Sequence, residues 1–203
     1  MGFGGQELTK LQYSCYCAAA LAYLMIRQQD AVGLVAFDAS VRHFLAPKSS
    51  PQQLVDILTV LDGLDPSQQT NLSRSFHELA ERIRRRGLII VFSDFFDDPE
   101  EIMRGLAHFR HKKHEVIVFH VLDPHEEDFP YEDFVEFEDM ETGQRLPVQA
   151  RLVRREVRRN VEAFIDDLRR RCRDHAIEHV PVRTSEPVER MLLRYLGKRA
   201  KLG

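Results

Sequence analysis

The pattern of apolar and polar positions changes period along this chain, and the sharpest change is at LIIVFSDFFDDP, residues 88–99. A run of five apolar residues from Leu88 to Phe92 delivers Ser93-Asp94 to its end, with Arg84-Arg85-Arg86-Gly87 before it and Asp97-Asp98-Pro99 after it. That order predicts a helix closing at the arginines, a buried strand, a polar loop and the opening of a new helix. In open α/β sheets ligands bind at the carboxyl ends of strands, which places Asp94 where chemistry is expected.

Similar alternation runs through the chain. Residues 7–29 read as a helix apolar on much of its surface, with Leu8, Leu11, Cys15, Ala18, Ala19, Ala22 and Met25 or Ile26 at helical spacing. AVGLVAF, residues 31–37, reads as a strand covered on both faces. Asp38-Ala39-Ser40 turns it back into VRHFL, residues 41–45, whose polar character suits an antiparallel edge strand. Helices are predicted over 51–64, with Pro51 in the first turn and Gly63 near the stop, and over 71–86 and 99–113. EVIVFHVL, residues 115–122, is the next strand. Residues 123–141 are acidic and carry no lysine or arginine, and Thr142-Gly143-Gln144 offers a turn between FVEFEDM and RLPVQ. A long amphipathic helix over 150–175 carries Val153, Val157, Val161, Phe164, Ile165, Leu168 and Cys172 on one stripe and arginines opposite. A strand at 178–182 and a helix over 187–196, closed by Gly197, complete the pattern. Strands alternating with helices predict an α/β three-layer sandwich, Rossmann-like, with a mainly parallel central sheet and one antiparallel edge strand. The expectation is a single domain over 1–203, with residues 123–149 as an acidic loop and small β-hairpin inserted in it.

Composition narrows the function classes. With 203 residues, 43% hydrophobic and 30% charged, the chain is long enough to bury a real core. A formal net charge of −3 gives no global pull toward nucleic acid or an anionic membrane. Three cysteines, two in Cys15-Tyr16-Cys17, make neither a disulfide framework nor a zinc set. Neither a membrane-spanning apolar stretch nor a basic-then-apolar leader is legible, so a cytoplasmic protein is expected.

Thr70 and Asp94 are the candidate site residues, both expected in solvent-facing loops on one rim of the sheet. Taken singly, Thr70-Asn71 reads as a helix cap and Asp94 as a loop carboxylate satisfied by backbone N–H groups. His108, His111 and His114 are spaced by three and spiral around a solvated helix surface rather than converge on a metal. The arginines from Arg151 to Arg173 are interrupted by Glu156, Glu162, Asp166 and Asp167, which favours a solvated face over a phosphate track. The acidic section lacks the oxygen-ligand spacing of a calcium loop.

Four stretches carry a resemblance: KLQYSCYCAAALAYLMIRQQDAVGLVAFD, TNLSRSFHELAERIRRRGLIIVFSDFFDDPEE, VIVFHVLDPHEEDFPY and TSEPVERMLLRYL. In this order they resemble the von Willebrand factor A-like proteins of unknown function encoded beside MoxR-type AAA+ ATPases in bacteria and archaea. The resemblance implies a metal-ion-dependent adhesion site in which Thr70 and Asp94 belong to the second and third loops, with Mg²⁺ or Mn²⁺ as cofactor in complete members. It also implies a first central strand and an Asp-x-Ser-x-Ser loop running into a methionine. This sequence starts at such a methionine, in Met1-Gly2-Phe3-Gly4-Gly5. The expectation is therefore an N-terminally truncated relative in which the strands at 32–37 and 88–92 flank an empty central position. Thr70 and Asp94 would then be a remnant metal site, and no cofactor is expected for this chain.

The leading function is a non-enzymatic protein-interaction domain. By resemblance its partners are a MoxR-type AAA+ ATPase and a protein client in assembly or maturation of complexes, and exposed strand edges would admit a second copy. No phosphate-binding glycine loop, Gly-x-Ser-x-Gly elbow or placed Cys/His pair is present. Two alternatives stand beside it: a metal-assisted hydrolase or phosphotransfer domain using Asp94 with Asp97 or Asp98, and nucleic-acid binding through the arginine helix.

Overall fold

The computed structural model describes residues 1–4, 8–38, 40–65, 72–138 and 145–200. The first helix, α1 (Lys10–Arg27), is opened by a capping box in which the Thr9 hydroxyl accepts from the Gln12 N–H and the Gln12 side chain accepts from the Thr9 N–H. It leads into β1 (Val32–Phe37), which pairs antiparallel with β2 (Val41–Lys48). Ser50 caps α2 (Pro51–Asp62), and α3 (Leu72–Arg82) precedes β3 (Leu88–Ser93). Asp98 caps α4 (Pro99–His111), which returns the chain to β4 (Glu115–Leu122). Then come a short helix α5 (Pro124–Asp128), the hairpin β5 (Phe134–Glu138) and β6 (Arg145–Gln149), α6 (Ala150–Asp174), β7 (Glu178–Arg183) and α7 (Val188–Arg199).

Period-two alternation in the strands builds three layers. Ile89 and Val91 of β3 and Val116 and Val118 of β4 face one helix layer, where they meet Phe76 and Leu79 of α3, Ile102, Leu106 and Phe109 of α4, and Leu168 and Cys172 of α6. Ile90, Phe92, Ile117, Phe119 and Val121 face the other, against Tyr13, Cys17 and Leu21 of α1 and Met191, Leu192 and Tyr195 of α7. β1 divides in the same way, Val35 and Phe37 joining the first core and Val32 and Leu34 packing with Ile57 and Leu61 of α2. Gly105 lets α4 sit tightly on α3, since a Cβ there would lie 2.8 Å from the Phe76 Cβ.

The middle layer is not one continuous sheet. β3, β4 and β7 form a parallel sheet in the order β3-β4-β7, and β1-β2 forms a separate antiparallel pair. Among the described residues no ladder joins β1 to β3, although α1 packs across β1, β3 and β4 alike. The interruption is visible in burial. β4, paired on both sides, is buried from Val116 to Leu122, whereas β3 is half-buried at Ile89, Ile90 and Phe92 and exposed at Leu88. The strands at 32–37 and 88–92, expected to flank an empty position, are thus not hydrogen-bonded to each other among the described residues.

Several expected boundaries shift. α3 stops at Arg82, leaving Arg84, Arg85 and Arg86 exposed in a loop instead of closing the helix. The Gly87 N–H donates to His114 Nδ1, which ties that loop to the turn before β4. α7 runs through Gly197 to Arg199. Glycine in a helix costs about 1 kcal/mol relative to alanine, and here the turn beyond it gains Arg199 bonded to Glu115 at 2.6 Å and Lys198 to Glu178 at 3.5 Å. The turn predicted at 142–144 lies outside the described residues. Among the described residues, no helix is long and apolar enough to cross a membrane.

Candidate functional site

Three strands deliver an aspartate to their carboxyl ends: Asp38 after β1, Asp94 after β3 and Asp123 after β4. Each is buried, and each is closed by groups of the same chain. Asp38 Oδ2 accepts from Arg42 and Oδ1 from the Ser40 N–H, while its carbonyl accepts from the Ser75 hydroxyl at 3.0 Å. Asp123 Oδ2 accepts from the Thr184 hydroxyl at 2.9 Å, joining the ends of β4 and β7, and Oδ1 accepts from the His125 N–H.

Asp94 carries the densest set of contacts. Ser93 ends β3 with its hydroxyl accepting from the Phe95 N–H at 3.0 Å, and Phe95, at φ 54°, is fully buried. This sharp turn directs the Asp94 carboxylate inward rather than into solvent, leaving the residue 8% exposed. The expectation of a solvent-facing loop residue is corrected accordingly. Asp94 Oδ2 meets Lys10 Nζ at 2.8 Å and the Met1 amine at 2.9 Å. Lys10 is 1% exposed and gives a second bond, 2.6 Å long, to Glu126 Oε1 on α5. The ring of Phe96 lies 4.8 Å from the same ammonium.

The two carboxylates divide one ammonium unequally. Burial works to raise Asp94, but Lys10 and the Met1 amine outweigh it and hold the carboxyl below its ordinary value. For Glu126 burial wins over Lys10, and the group titrates above the ordinary carboxylate range. Behind the cluster, His120 Nε2 lies 3.1 Å from the Asp94 carbonyl and fixes the loop from β4.

Thr70 lies outside the described residues, so Asp94 is the member of the candidate pair that the structure places. Asp97 and Asp98 serve local turns: Asp97 Oδ1 accepts from the Asp98 N–H, and Asp98 Oδ1 accepts from the N–H groups of Glu100 and Glu101 at the start of α4. Metal ligation is not what this arrangement fits. Mg²⁺ takes oxygen ligands in a near-octahedral shell, whereas Asp94 Oδ2 is surrounded by ammonium groups, and no group of three or more His, Cys, Asp or Glu among the described residues could hold an ion. Burial pushes the Cys17 and Cys172 thiols up to about 12, which leaves neither as a thiolate nucleophile.

Other candidates from the sequence resolve into local structure. His108 Nδ1 sits 3.1 Å from His77 Nδ1, with Nε2 3.2 Å from Glu81, and His114 is buried. On α6, Arg169, Arg170 and Arg171 pair with Asp166 or Asp167 of the same helix. The cleft between α5, α6 and β7 is lined by paired charges, including Arg183 with Glu127 and Arg158 with Asp128.

Lys10, Glu126 and His120 were not singled out by sequence reading. Lys10 follows Thr9 and reads as a polar residue at a helix start. Its spacing to Tyr13, Ser14, Cys17 and Leu21 marks the face that α1 seats on the sheet, whereas the stripe through Cys15, Ala18, Ala19 and Ala22 faces α2. The short helix holding Glu126 announces itself as a capping box, Asp123-Pro124-His125-Glu126.

Comparison with known proteins follows the same lines. The crystal structure of the conserved hypothetical protein BatB from Bacteroides thetaiotaomicron is similar in fold, with a TM-score of 0.53 and 15% sequence identity over 94% of this chain and 88% of that one. No curated protein matches. The model of the family described as protein of unknown function DUF58 matches residues 1–170, and the chain belongs to that family, in agreement with its likeness to the von Willebrand A-like, MoxR-associated proteins.

Proposed function

We propose that this chain is a non-enzymatic interaction domain that works with a MoxR-type AAA+ ATPase and a protein client in the assembly or maturation of protein complexes. The observation that carries the reading is the internal closure of Asp38, Asp94 and Asp123 at the strand ends. A hydrolase or phosphotransfer centre needs a carboxylate free to hold a cation or to attack. Asp94 is engaged by Lys10, and Asp97 and Asp98 hold the turn into α4. What the rim presents to a visitor is shape, with the exposed Phe96 beside a neutralised cluster, which suits recognition. Family membership and the fold support the same reading at the level of the superfamily.

Affinity capture with the tagged chain from its own cells, and direct titration against the MoxR-type ATPase of the same genome with and without nucleotide, test the proposal. Saturable binding is expected. Metal-dependent phosphoester hydrolysis that disappears in Asp94→Asn would replace this reading with the enzymatic one.

A further inference from the structure

We propose that Lys10 is the resident cation of this rim, its ammonium holding the place between Asp94 and Glu126 that a divalent ion would take, so that the rim works without a metal. Lys10 Nζ bridges the two carboxylates at 2.8 and 2.6 Å from the first turn of α1, on the face that packs on the sheet. A lysine on a solvated flank carries its charge in water. This one is 1% exposed, and a buried ammonium persists when its charge is met by hydrogen-bonded carboxylates. Its charge is met by Asp94 Oδ2, by Glu126 Oε1 and, at 4.8 Å from the centroid, by the face of Phe96. At 1% exposed, it is not presented to a carboxylate brought by a partner.

Size points the same way. An ammonium keeps its oxygens farther away than Mg²⁺ does, at about 2.0–2.1 Å, and slightly farther than Ca²⁺, at about 2.3–2.6 Å. Removing the Lys10 ammonium leaves Asp94 and Glu126 facing one another with no cation between them, the condition under which a divalent ion would bind. Glu126 accepts from Lys10 and from the Asp123 N–H, so its carboxylate stays anchored through the capping box, while the turn at Ser93 and Phe95 keeps Asp94 directed inward. For partners the consequence, which rests on the interaction reading above, is that capture is indifferent to chelators.

The test uses ions alone and needs no partner, so its failure is separate from failure of the interaction reading. It is run on a chain carrying extra residues ahead of Met1, so that no terminal amine reaches Asp94. The wild-type chain should show no Mn²⁺ binding by calorimetry, and millimolar Mn²⁺ or Ca²⁺ should leave its melting temperature unchanged. Lys10→Met should melt lower and regain roughly 3 °C or more with either ion. The triple variant Lys10→Met, Asp94→Asn, Glu126→Gln should fold and lose the ion response. Should Lys10→Met fail to fold, its recovery by the two amide substitutions carries the same information about the ammonium's role. Mn²⁺ binding by the wild-type chain that Asp94→Asn abolishes, or a folded Lys10→Met that ignores both ions, overturns the proposal.

Discussion

His179 Nε2 and His120 Nδ1 lie 3.3 Å apart, and the carbonyl of Asp94 at the far side of His120 determines which of them donates. A carbonyl accepts, so His120 Nε2 carries the proton, its Nδ1 accepts, and His179 Nε2 donates. His179 Nδ1 is then a bare lone pair, and it is buried without a partner. Burial pushes both imidazoles down, His120 to about 3 and His179 to about 4, with His179 adding to the depression of His120 and Arg169 to that of His179.

Acid should therefore weaken the fold through this pair. Each histidine titrates lower folded than unfolded, so between about pH 6.5 and pH 4 the unfolded chain binds more protons and stability falls as pH falls. One proton gives a slope of about 1.4 kcal/mol per pH unit. Urea melts from pH 7 to pH 4.5 should show His120→Gln, which keeps a donor for the Asp94 carbonyl, with a slope shallower by up to that amount. An unchanged slope would show that the pair stays neutral for another reason.

Asp94→Ala should destabilise the chain by about 2 kcal/mol or more, because it removes one of the two carboxylates that meet a buried ammonium. Glu126 retains its bond to Lys10, which keeps the loss below that of a fully orphaned charge. Chemical denaturation at pH 7 measures it. A loss under 0.5 kcal/mol, roughly the limit for a surface change, would contradict the burial of this carboxylate.

At Gly105 two effects oppose each other. Alanine gains about 1 kcal/mol of helix propensity, but its Cβ would sit 2.8 Å from the Phe76 Cβ, a contact with no flexible end to move aside. Overpacking of this kind costs about 1–3 kcal/mol, so Gly105→Ala should be net destabilising. A rise in melting temperature would mean that α3 and α4 separate freely.

Phe96 should matter to a partner more than to the fold. The residue is 60% exposed, with its ring stacked at 6.1 Å on Phe164 and set over Lys10. Phe96→Ala is expected to weaken capture of the MoxR-type ATPase or its client about tenfold while changing stability by less than about 1 kcal/mol. Equal affinity for the two chains would move the contact surface elsewhere.

Strand β3 should exchange hydrogens unevenly. It pairs with β4 along one side, so alternate amides between Leu88 and Ser93 face an edge with no ladder among the described residues and should exchange faster than those of β4, which is bonded on both sides. Concentration-dependent loss of this difference, with a matching increase in sedimentation coefficient, is the expected signature of a second copy adding along the edge.

Elements with a clear period were legible in the sequence. The run at 88–92 and EVIVFHVL announced strands, the second buried along its length as expected and the first only half-buried, and Pro51 and Pro99 marked helix starts to the residue. Helix ends were less legible, since Arg84 to Arg86 suit the last turn of a helix as well as a loop, and only the bond from Gly87 to His114 decides it. The candidate site was half legible. Asp94 follows from its place after a strand, but its inward direction depends on a left-handed Phe95, a conformation that no residue type announces. Lys10 and Glu126 are 116 residues apart in sequence, and neither carries a local sign of the other.

The lack of a ladder between β1 and β3 among the described residues bears on how the molecule opens. A continuous sheet transmits load through a row of backbone bonds, whereas here side-chain packing beneath α1 and around Phe37, Val41 and Phe76 carries it. Such contacts loosen gradually rather than breaking in register. The part built from β1, β2 and α2 is therefore expected to yield as its own unit, a foldon parting from the rest along a seam of aromatic and aliphatic side chains. Under tension or mild denaturant α1 is the splint across that seam, and its first turn carries the lysine that closes the rim.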